Sequence, residues 1–284
     1  MRVAKQSMHP SCAAKYLLIV ALAALVGGCS IFGAKQRDDN LPVDALYNKA
    51  HAALVEGRYG TAATSYQRLI ARFPSGNYNE HAQLELAYAQ YKDNKPDDAL
   101  STINRFIKTY PANQHVDYAY YLRGLIDFDR DSGGILTTLR GGESGTARRD
   151  PAPFLQSFDD FSELSRRFPN SAYAADARQR MIYLRNMLAQ YEINIAEFYL
   201  RQRAYIAAAD RAQYVVEHYQ QAPQVADALA LLTRCYIALK QDKLAEQSRK
   251  VLTLNYPDHP YLSDPKWPRA PSTLRKMIPF SGHQ

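Results

Sequence analysis

The sequence contains few cysteines and few glycines, and it has no stretches of alternating Val, Ile and Thr. Only three cysteines and 13 glycines occur in 284 residues, whereas tyrosine occurs 21 times. The scarcity of glycine and of β-branched alternation argues against a β protein. Windows rich in Ala, Leu, Gln, Arg and Tyr, with apolar residues three and four positions apart, predict helices instead.

The first 28 residues predict an export signal. A basic stretch ends at Lys15, and eleven apolar residues follow, Tyr16–Val26. A bilayer requires about 20 such residues, so this core fits a cleavable signal better than a membrane span. The segment Leu25-Val26-Gly27-Gly28-Cys29 resembles the bacterial lipobox, in which the cut precedes a cysteine that becomes acylated. An ordinary signal with a coincidental cysteine is the alternative.

Acylation of Cys29 would define where the protein works. Ser30 follows it, and in enterobacterial lipoproteins a residue other than Asp at that position implies sorting to the outer membrane. We therefore predict a protein anchored in the outer membrane by its N-terminal acyl chains and facing the periplasm. Residues 29–41 would form a flexible tether. Cys235 would remain without a disulfide partner, as a small buried apolar side chain.

An internal repeat organises the rest of the chain. Aromatic-proline pairs recur at Phe73-Pro74, Tyr110-Pro111, Phe168-Pro169 and Tyr256-Pro257. Tetratricopeptide offsets counted back from these prolines fall on small residues, for example Ala50 and Ala62, then Ala87 and Ala99. Small residues are required where paired helices approach to about 8–10 Å. We predict an all-α fold over residues 42–257, a right-handed α-α superhelix of about five tetratricopeptide-like helical hairpins.

Two repeats and the C-terminus depart from this period. In the third repeat Gly124 finds its small partner only at Ser157, which predicts an inserted loop over residues 130–150. In the fourth, added residues without a helix breaker predict an elongated helix at about 172–202. Residues 258–284 are rich in proline and should form an extended or poorly ordered tail, with one helical turn near 272–277.

The sequence contains no motif typical of a catalytic, metal-binding or phosphate-binding site. The histidines lack metal-ligand spacing, and the Asp127, Asp129 and Asp131 series departs from a calcium loop at Ser132 and Thr138. Neither a phosphate-binding loop nor a nucleophile elbow occurs. The net charge of +7 includes three basic leader residues, and the remainder is mixed with acidic residues, so a solvated surface is favoured over nucleic-acid binding. We predict no enzyme activity, cofactor or metal.

The first helices of the repeats predict a peptide-binding groove. Tetratricopeptide proteins contact ligands mainly from side chains on the concave face of these helices. The corresponding positions are Tyr47 and His51 in repeat one, His81, Leu84, Tyr88 and Tyr91 in repeat two, and Tyr118, Tyr121 and Phe128 in repeat three. Tyrosine combines an apolar ring with a polar tip, which suits the binding of extended peptides. The alternative is that these rings pack against the next helix.

Taken together, the lipobox, the tether, five repeats, the third-repeat insertion and the longer fourth repeat resemble the BamD (ComL) family. Segments such as Glu56-Gly57-Arg58-Tyr59 and Tyr118-Ala119-Tyr120-Tyr121-Leu122-Arg123-Gly124 look like that family's variants of the repeat. The resemblance implies a non-catalytic periplasmic scaffold that assists assembly of outer-membrane β-barrel proteins. Its implied partners are unfolded barrel substrates at the N-terminal repeats, a POTRA-bearing barrel subunit at the C-terminal repeats, and accessory lipoproteins.

Three alternatives follow from the same residues. Barrel substrates commonly end in an aromatic residue on an alternating strand, so we predict that repeats one to three receive such a strand. A pilotin for secretin assembly would share the anchor and the repeats but serve a different client. An envelope hydrolase would need a convergent acid/base or metal cluster, which the sequence does not contain.

Overall fold

The structure of the chain is a computed structural model that describes residues 41–130, 151–264 and 266–268. The chain divides into two compact units, Met1–Leu46 and Tyr47–Gln284. Of the first unit, only residues 41–46 are described. The predicted signal peptide, the acylated Cys29, residues 131–150 of the insertion and the predicted helical turn near 272–277 lie outside the described residues.

All regular structure in the described ranges is helical, which confirms the predicted fold class. The helices are α1 Val43–Val55, α2 Tyr59–Arg72, α3 Asn77–Lys92, α4 Pro96–Thr109, α5 Val116–Arg130, α6 Ala152–Arg167, α7 Ala174–Arg201, α8 Tyr205–His218, α9 Val225–Ala238, α10 Asp242–Asn255 and α11 Pro260–Ser263. From α2 to α10, each helix packs against the next one in the chain. None of the described helices is both long and apolar enough to cross a bilayer.

The small residues that revealed the repeat lie where the helices of a hairpin meet. Ala50, Ala62, Ala87 and Ala99 have no exposed surface, and neither has Ala196 in the fourth hairpin. A larger side chain at these positions would push the two helices apart. The burial of these alanines thus confirms the predicted tetratricopeptide pattern.

Four of the hairpins use the same turn between their two helices. The second residue after the first helix adopts a left-handed backbone conformation at Gly57, Asn94, Arg203 and Lys240, with φ between 58° and 74°. The following N–H then bonds five residues back, as from Lys95 to the Gln90 carbonyl at 2.9 Å. This is the Schellman arrangement that ends a helix tightly. Because only one of the four is glycine, the turn tolerates a conformational cost of about 1 kcal/mol at each of the others.

The third hairpin closes across the insertion at the predicted pair of small residues. Ser157 is fully buried, and its Oγ donates a hydrogen bond of 2.8 Å to the carbonyl of Gly124. The two helices touch so closely here that a Cβ on Gly124 would lie 2.6 Å from the Phe161 ring. The predicted pairing of Gly124 with Ser157 is confirmed.

The long helix α7 joins two parts of the core. It contains 28 residues, Ala174–Arg201, where the sequence predicts a helix at about 172–202. Leu184 and Leu188 belong to the cluster formed with α5 and α6. Ile193 and Leu200 belong to the cluster formed with α8 and α9. Its additional turns therefore let one continuous helix contribute to both clusters.

The start of the proline-rich tail is folded, contrary to the predicted extended conformation. Tyr261 in α11 is buried, and Trp267 packs against the core of the last hairpins. The His259 Nε2 lies 3.0 Å from Asp227, and Arg234 donates to the Trp267 carbonyl at 2.8 Å. The physical reason is that Tyr261 and Trp267 bury apolar surface of the last described hairpins, as a following repeat does elsewhere in the chain.

Cys235 occupies the same C-terminal core. It is a fully buried free cysteine, as predicted. Burial raises the pKa of its thiol to about 11. The side chain therefore acts as a small apolar residue and not as a reactive thiolate.

Candidate peptide-binding face

The aromatic side chains predicted to line a groove project from α1, α3 and α5, the first helices of three successive hairpins. Tyr47, Tyr88, Tyr91, Tyr118, Tyr121 and Phe128 are all partly exposed, and His51 is exposed. We call these seven residues the aromatic face. Their positions match the i, i+3 and i+4 spacing that places side chains on one side of a helix.

At the α1 end, the aromatic face is organised around a carboxylate that the sequence analysis missed. The Tyr47 hydroxyl donates to Glu85 Oε1 at 3.0 Å, and His51 Nδ1 lies 3.2 Å from Glu85 Oε2. The hydroxyl of Tyr66, a fully buried residue of α2, also donates to Glu85 Oε2. One acidic side chain of α3 therefore links three helices.

The rings around Glu85 form a compact group. Tyr47 lies 5.4 Å from Tyr78, 5.9 Å from His51 and 6.0 Å from Tyr66, measured between ring centroids. Burial, reinforced by the charge of Glu85, raises the pKa of Tyr47 and of Tyr66 well above the usual value. Both hydroxyls are thus fixed as hydrogen-bond donors at any physiological pH.

Tyrosines farther along the face make the same kind of bond to the next hairpin. The Tyr91 hydroxyl of α3 donates to Asp129 of α5. The Tyr121 hydroxyl of α5 donates to Asp176 of α7 at 2.7 Å. Tyr88 lies between Tyr59 and Tyr91, at centroid distances of 6.5 and 6.4 Å. These bonds tie successive first helices together while leaving the rings partly exposed.

At its α7 end the face carries a cation. Arg180 donates from Nε to Asp176 at 2.6 Å, and its guanidinium lies 5.0 Å from the centroid of Phe128. Tyr121 stacks on Tyr173 with centroids 4.8 Å apart and planes inclined by 20°. At this end the charge of Asp176 is therefore compensated by Arg180, beside aromatic rings. Among the described residues, Glu85 at the other end has no such arginine.

Two predicted groove residues stand apart from the aromatic face. Leu84 is only 7% exposed and packs in the core cluster with Ala87 and Ile103, so the prediction that it lines the groove is wrong. Helix spacing places Leu84 on the side of Tyr88 and Tyr91, four and seven positions later, but residues of α4 and α5 cover it there. His81 is partly buried and lies 5.9 Å from the His115 ring.

Some rings of the aromatic face also contact the next hairpin, as the alternative prediction required. Tyr91 and Tyr121 do both, because each bonds a carboxylate of the next hairpin and keeps some ring exposed.

The spacing between tyrosine and carboxylate is a sequence signal that could have identified two of these carboxylates. Glu85 and Asp129 each follow their tyrosine by 38 residues, one repeat plus about one turn of helix.

A buried charged cluster lies elsewhere, between α4, α5 and α6. Arg123 Nη2 bonds Asp160 Oδ1 at 2.6 Å, and the two side chains are 20% and 1% exposed. Asp127 is also buried, and it borders a cavity of about 680 Å³ together with Arg123 and Asn104. Burial, with a smaller contribution from Asp160, raises the pKa of Asp127 to about 6.

Replacing Asp127 by asparagine should therefore stabilise the protein at neutral pH. The folded-state pKa of about 6 exceeds the ordinary value of 3.8, so the folded state favours the protonated carboxyl, and this contribution is lost as the pH rises through 6. We expect D127N to raise the free energy of unfolding by about 1–2 kcal/mol at pH 7.5 and by almost nothing at pH 4. Urea denaturation at the two pH values tests this; destabilisation at pH 7.5 would contradict it.

No group of three or more His, Cys, Asp or Glu side chains in the described ranges could hold a metal ion. The features of the aromatic face are hydrogen-bond acceptors, ring surfaces and one neutralised arginine. Groups of these kinds offer ring contact and charge complementarity to a ligand.

Comparison with known proteins identifies the family. The family model described as YfiO, outer membrane lipoprotein, matches residues 39–264. The chain belongs to this family, the BamD family. It is 45% identical over 271 residues to the outer membrane protein assembly factor BamD of Xylella fastidiosa strain Temecula1, covering 95% of this chain and 92% of that protein.

More distant relatives carry the same name. The outer membrane protein assembly factors BamD of Neisseria meningitidis serogroup B and of Vibrio cholerae are 38% and 34% identical, and the matches cover 88% and 85% of this chain and 94% and 99% of theirs. A solved structure from the functional characterization of Pseudomonas aeruginosa PilF is 16% identical, with a TM-score of 0.26, and covers 79% of this chain and 96% of its own. That likeness is too low to support any inference.

Proposed function

We propose that this chain is a non-catalytic scaffold of the outer-membrane β-barrel assembly complex, and that its aromatic face receives the C-terminal strand of unfolded barrel proteins. Membership of the BamD family, whose members are named as outer membrane protein assembly factors, supports the first part. The second part is carried by one observation, the partly exposed tyrosines that run from α1 to α5 on consecutive hairpins.

The chemistry of the face suits such a strand. An extended segment presents alternate side chains to a surface, and substrate strands of this class combine aromatic and polar residues. Tyrosine rings offer flat apolar area at a low entropy cost. The carboxylates beneath them orient the hydroxyls, as Glu85 does for Tyr47 and Asp176 does for Tyr121. The face is therefore preorganised before any ligand binds.

Site-specific photocrosslinking tests this proposal. A photoreactive residue at Tyr88 or Tyr121 should capture unfolded barrel substrates in envelopes. The same residue at Gln67, which is exposed on α2, is the control. Equal capture from Gln67 would contradict a specific role for the aromatic face.

The proposal includes an outer-membrane anchor and protein partners. The predicted acylation of Cys29 would hold the scaffold at the periplasmic side of the outer membrane, with a POTRA-bearing barrel subunit bound to its C-terminal repeats and accessory lipoproteins nearby. Purification from envelopes in mild detergent should recover that barrel subunit. Recovery of a secretin in its place would favour the pilotin alternative.

A further inference from the structure

The α1 end of the aromatic face has a negative charge that no lysine or arginine of the described residues neutralises. Glu85 accepts hydrogen bonds from Tyr47 and Tyr66, and its only ion-pair partner there is His51. Its side chain is 25% exposed. Phenol hydroxyls orient a carboxylate and stabilise its charge, but they do not cancel it. The charge therefore remains available to a ligand.

The surroundings of this charge are aromatic and open to solvent. Tyr78 is 40% exposed and the His51 side chain is 49% exposed. Both rings lie within 6 Å of the Tyr47 ring, which itself contacts Glu85. Aromatic ring faces carry partial negative charge and attract cations, and a nearby carboxylate adds its own attraction. Rings grouped around a carboxylate are a surface that fits an ammonium or guanidinium group.

The other two carboxylates that bond tyrosines of the face, Asp176 and Asp129, have different partners from Glu85. Asp176 already bonds Arg180 at 2.6 Å, so its charge is compensated within the chain. Asp129 accepts a hydrogen bond from Tyr91 at the other end of α3. The charge complementarity of the face is therefore uneven along its length, and its uncompensated part lies beside Tyr47 and Tyr78.

We propose that Glu85, with the rings of Tyr47, Tyr78 and His51, binds a lysine or arginine side chain of the segment held on the aromatic face. This inference rests on the proposed function and adds a specificity to it. The scaffold then favours segments that carry a basic residue at the position facing Glu85. A neutral or acidic residue at that position gives weaker binding, because it either gains nothing from the carboxylate or is repelled by it.

Peptide binding measured by fluorescence polarisation tests the charge preference. The mature protein is titrated into labelled ten-residue peptides of alternating apolar and polar residues that end in phenylalanine. One residue is arginine or its neutral isostere citrulline, and it is moved in turn to each polar position. We expect one position at which the arginine peptide binds about tenfold more tightly than the citrulline peptide. The preference should decrease as salt is raised.

Two variants assign that preference to this site. E85Q keeps one accepting oxygen but removes the charge, so the arginine-to-citrulline ratio should fall to about one. Y78L removes an exposed ring that does not bond Glu85, and it should reduce the ratio several-fold without disturbing the fold. The matched control is E163Q, which changes a similarly exposed carboxylate on α6. It should leave the ratio at its wild-type value.

The outcomes separate this inference from the proposed function. If the peptides bind but the arginine and citrulline forms bind equally, or if the preference persists in folded E85Q, the basic-residue site is refuted and the peptide-binding face stands. If no peptide binds, both are overturned. Thermal unfolding monitored by circular dichroism identifies a variant that fails to fold; if E85Q does, Y78L alone decides.

Discussion

Replacing Gly124 with alanine is expected to destabilise the protein by about 3 kcal/mol or to prevent the third hairpin from closing. The added Cβ would lie 2.6 and 2.8 Å from two ring carbons of Phe161. Phe161 is fully buried, so its ring has no free space into which to move. Any separation of α5 from α6 would also lengthen the 2.8 Å bond from Ser157 to the Gly124 carbonyl. Urea denaturation followed by circular dichroism measures the change.

Two controls make this test specific. Gly60 in α2 is a second helical glycine, but a Cβ there would meet only the carboxylate of Asp93 at 3.3 Å, a side-chain end that can move. G60A should therefore be neutral or slightly stabilising, because alanine favours helix. Combining G124A with F161L should recover part of the lost stability, since the smaller side chain leaves room for the Cβ. Equal losses for G124A and G60A would contradict the close-contact explanation.

The close contact of α5 and α6 at Gly124 shows why much of the fold could be predicted from the sequence. Tetratricopeptide hairpins require small residues at fixed offsets, and this requirement is local enough to identify Gly124 and Ser157 as partners 33 residues apart. The residues that pack one hairpin on the next follow the same period. A pattern repeated five times is more informative than any single segment, because each repeat tests the offsets again.

The side chains that complete the aromatic face could not be predicted in the same way. The offsets indicate which side of each first helix carries the aromatic rings, but they cannot show what each ring contacts. Glu85 was missed because its role depends on donors from two other helices, Tyr47 and Tyr66. Leu84 was wrongly included because helix spacing places it beside Tyr88 and Tyr91 but does not show that α4 and α5 cover it. The folded start of the tail depends on contacts of Tyr261 and Trp267 that the repeat pattern does not contain.

Replacing Arg123 with methionine is expected to cost about 3 kcal/mol at pH 7.5, because it leaves the buried Asp160 without its cation. Arg123 also donates to Asn104 at 3.1 Å and lies 5.0 Å from the centre of the Tyr120 ring. Methionine retains much of the side-chain volume, so the loss would report mainly on charge. The matched control is R166M, which removes an arginine whose side chain is 71% exposed and paired with Glu163. Exposed pairs contribute about 0–1 kcal/mol.

The pH dependence of R123M distinguishes a charge effect from a packing effect. Burial raises the pKa of Asp160 even in the presence of Arg123, which acts in the opposite direction. Without the arginine the folded-state pKa rises further above the ordinary value of 3.8, so the folded variant holds the proton and is least destabilised at low pH. Its deficit relative to the parent should grow as the pH increases from 4.5 to 7.5. The double variant R123M/D160N should lose this pH dependence and recover part of the stability at pH 7.5, because an amide carries no charge to desolvate. R123M could instead lose the same free energy of unfolding at both pH values. The arginine would then act through its packing on Tyr120, and the buried ion pair would not be what holds α5 to α6.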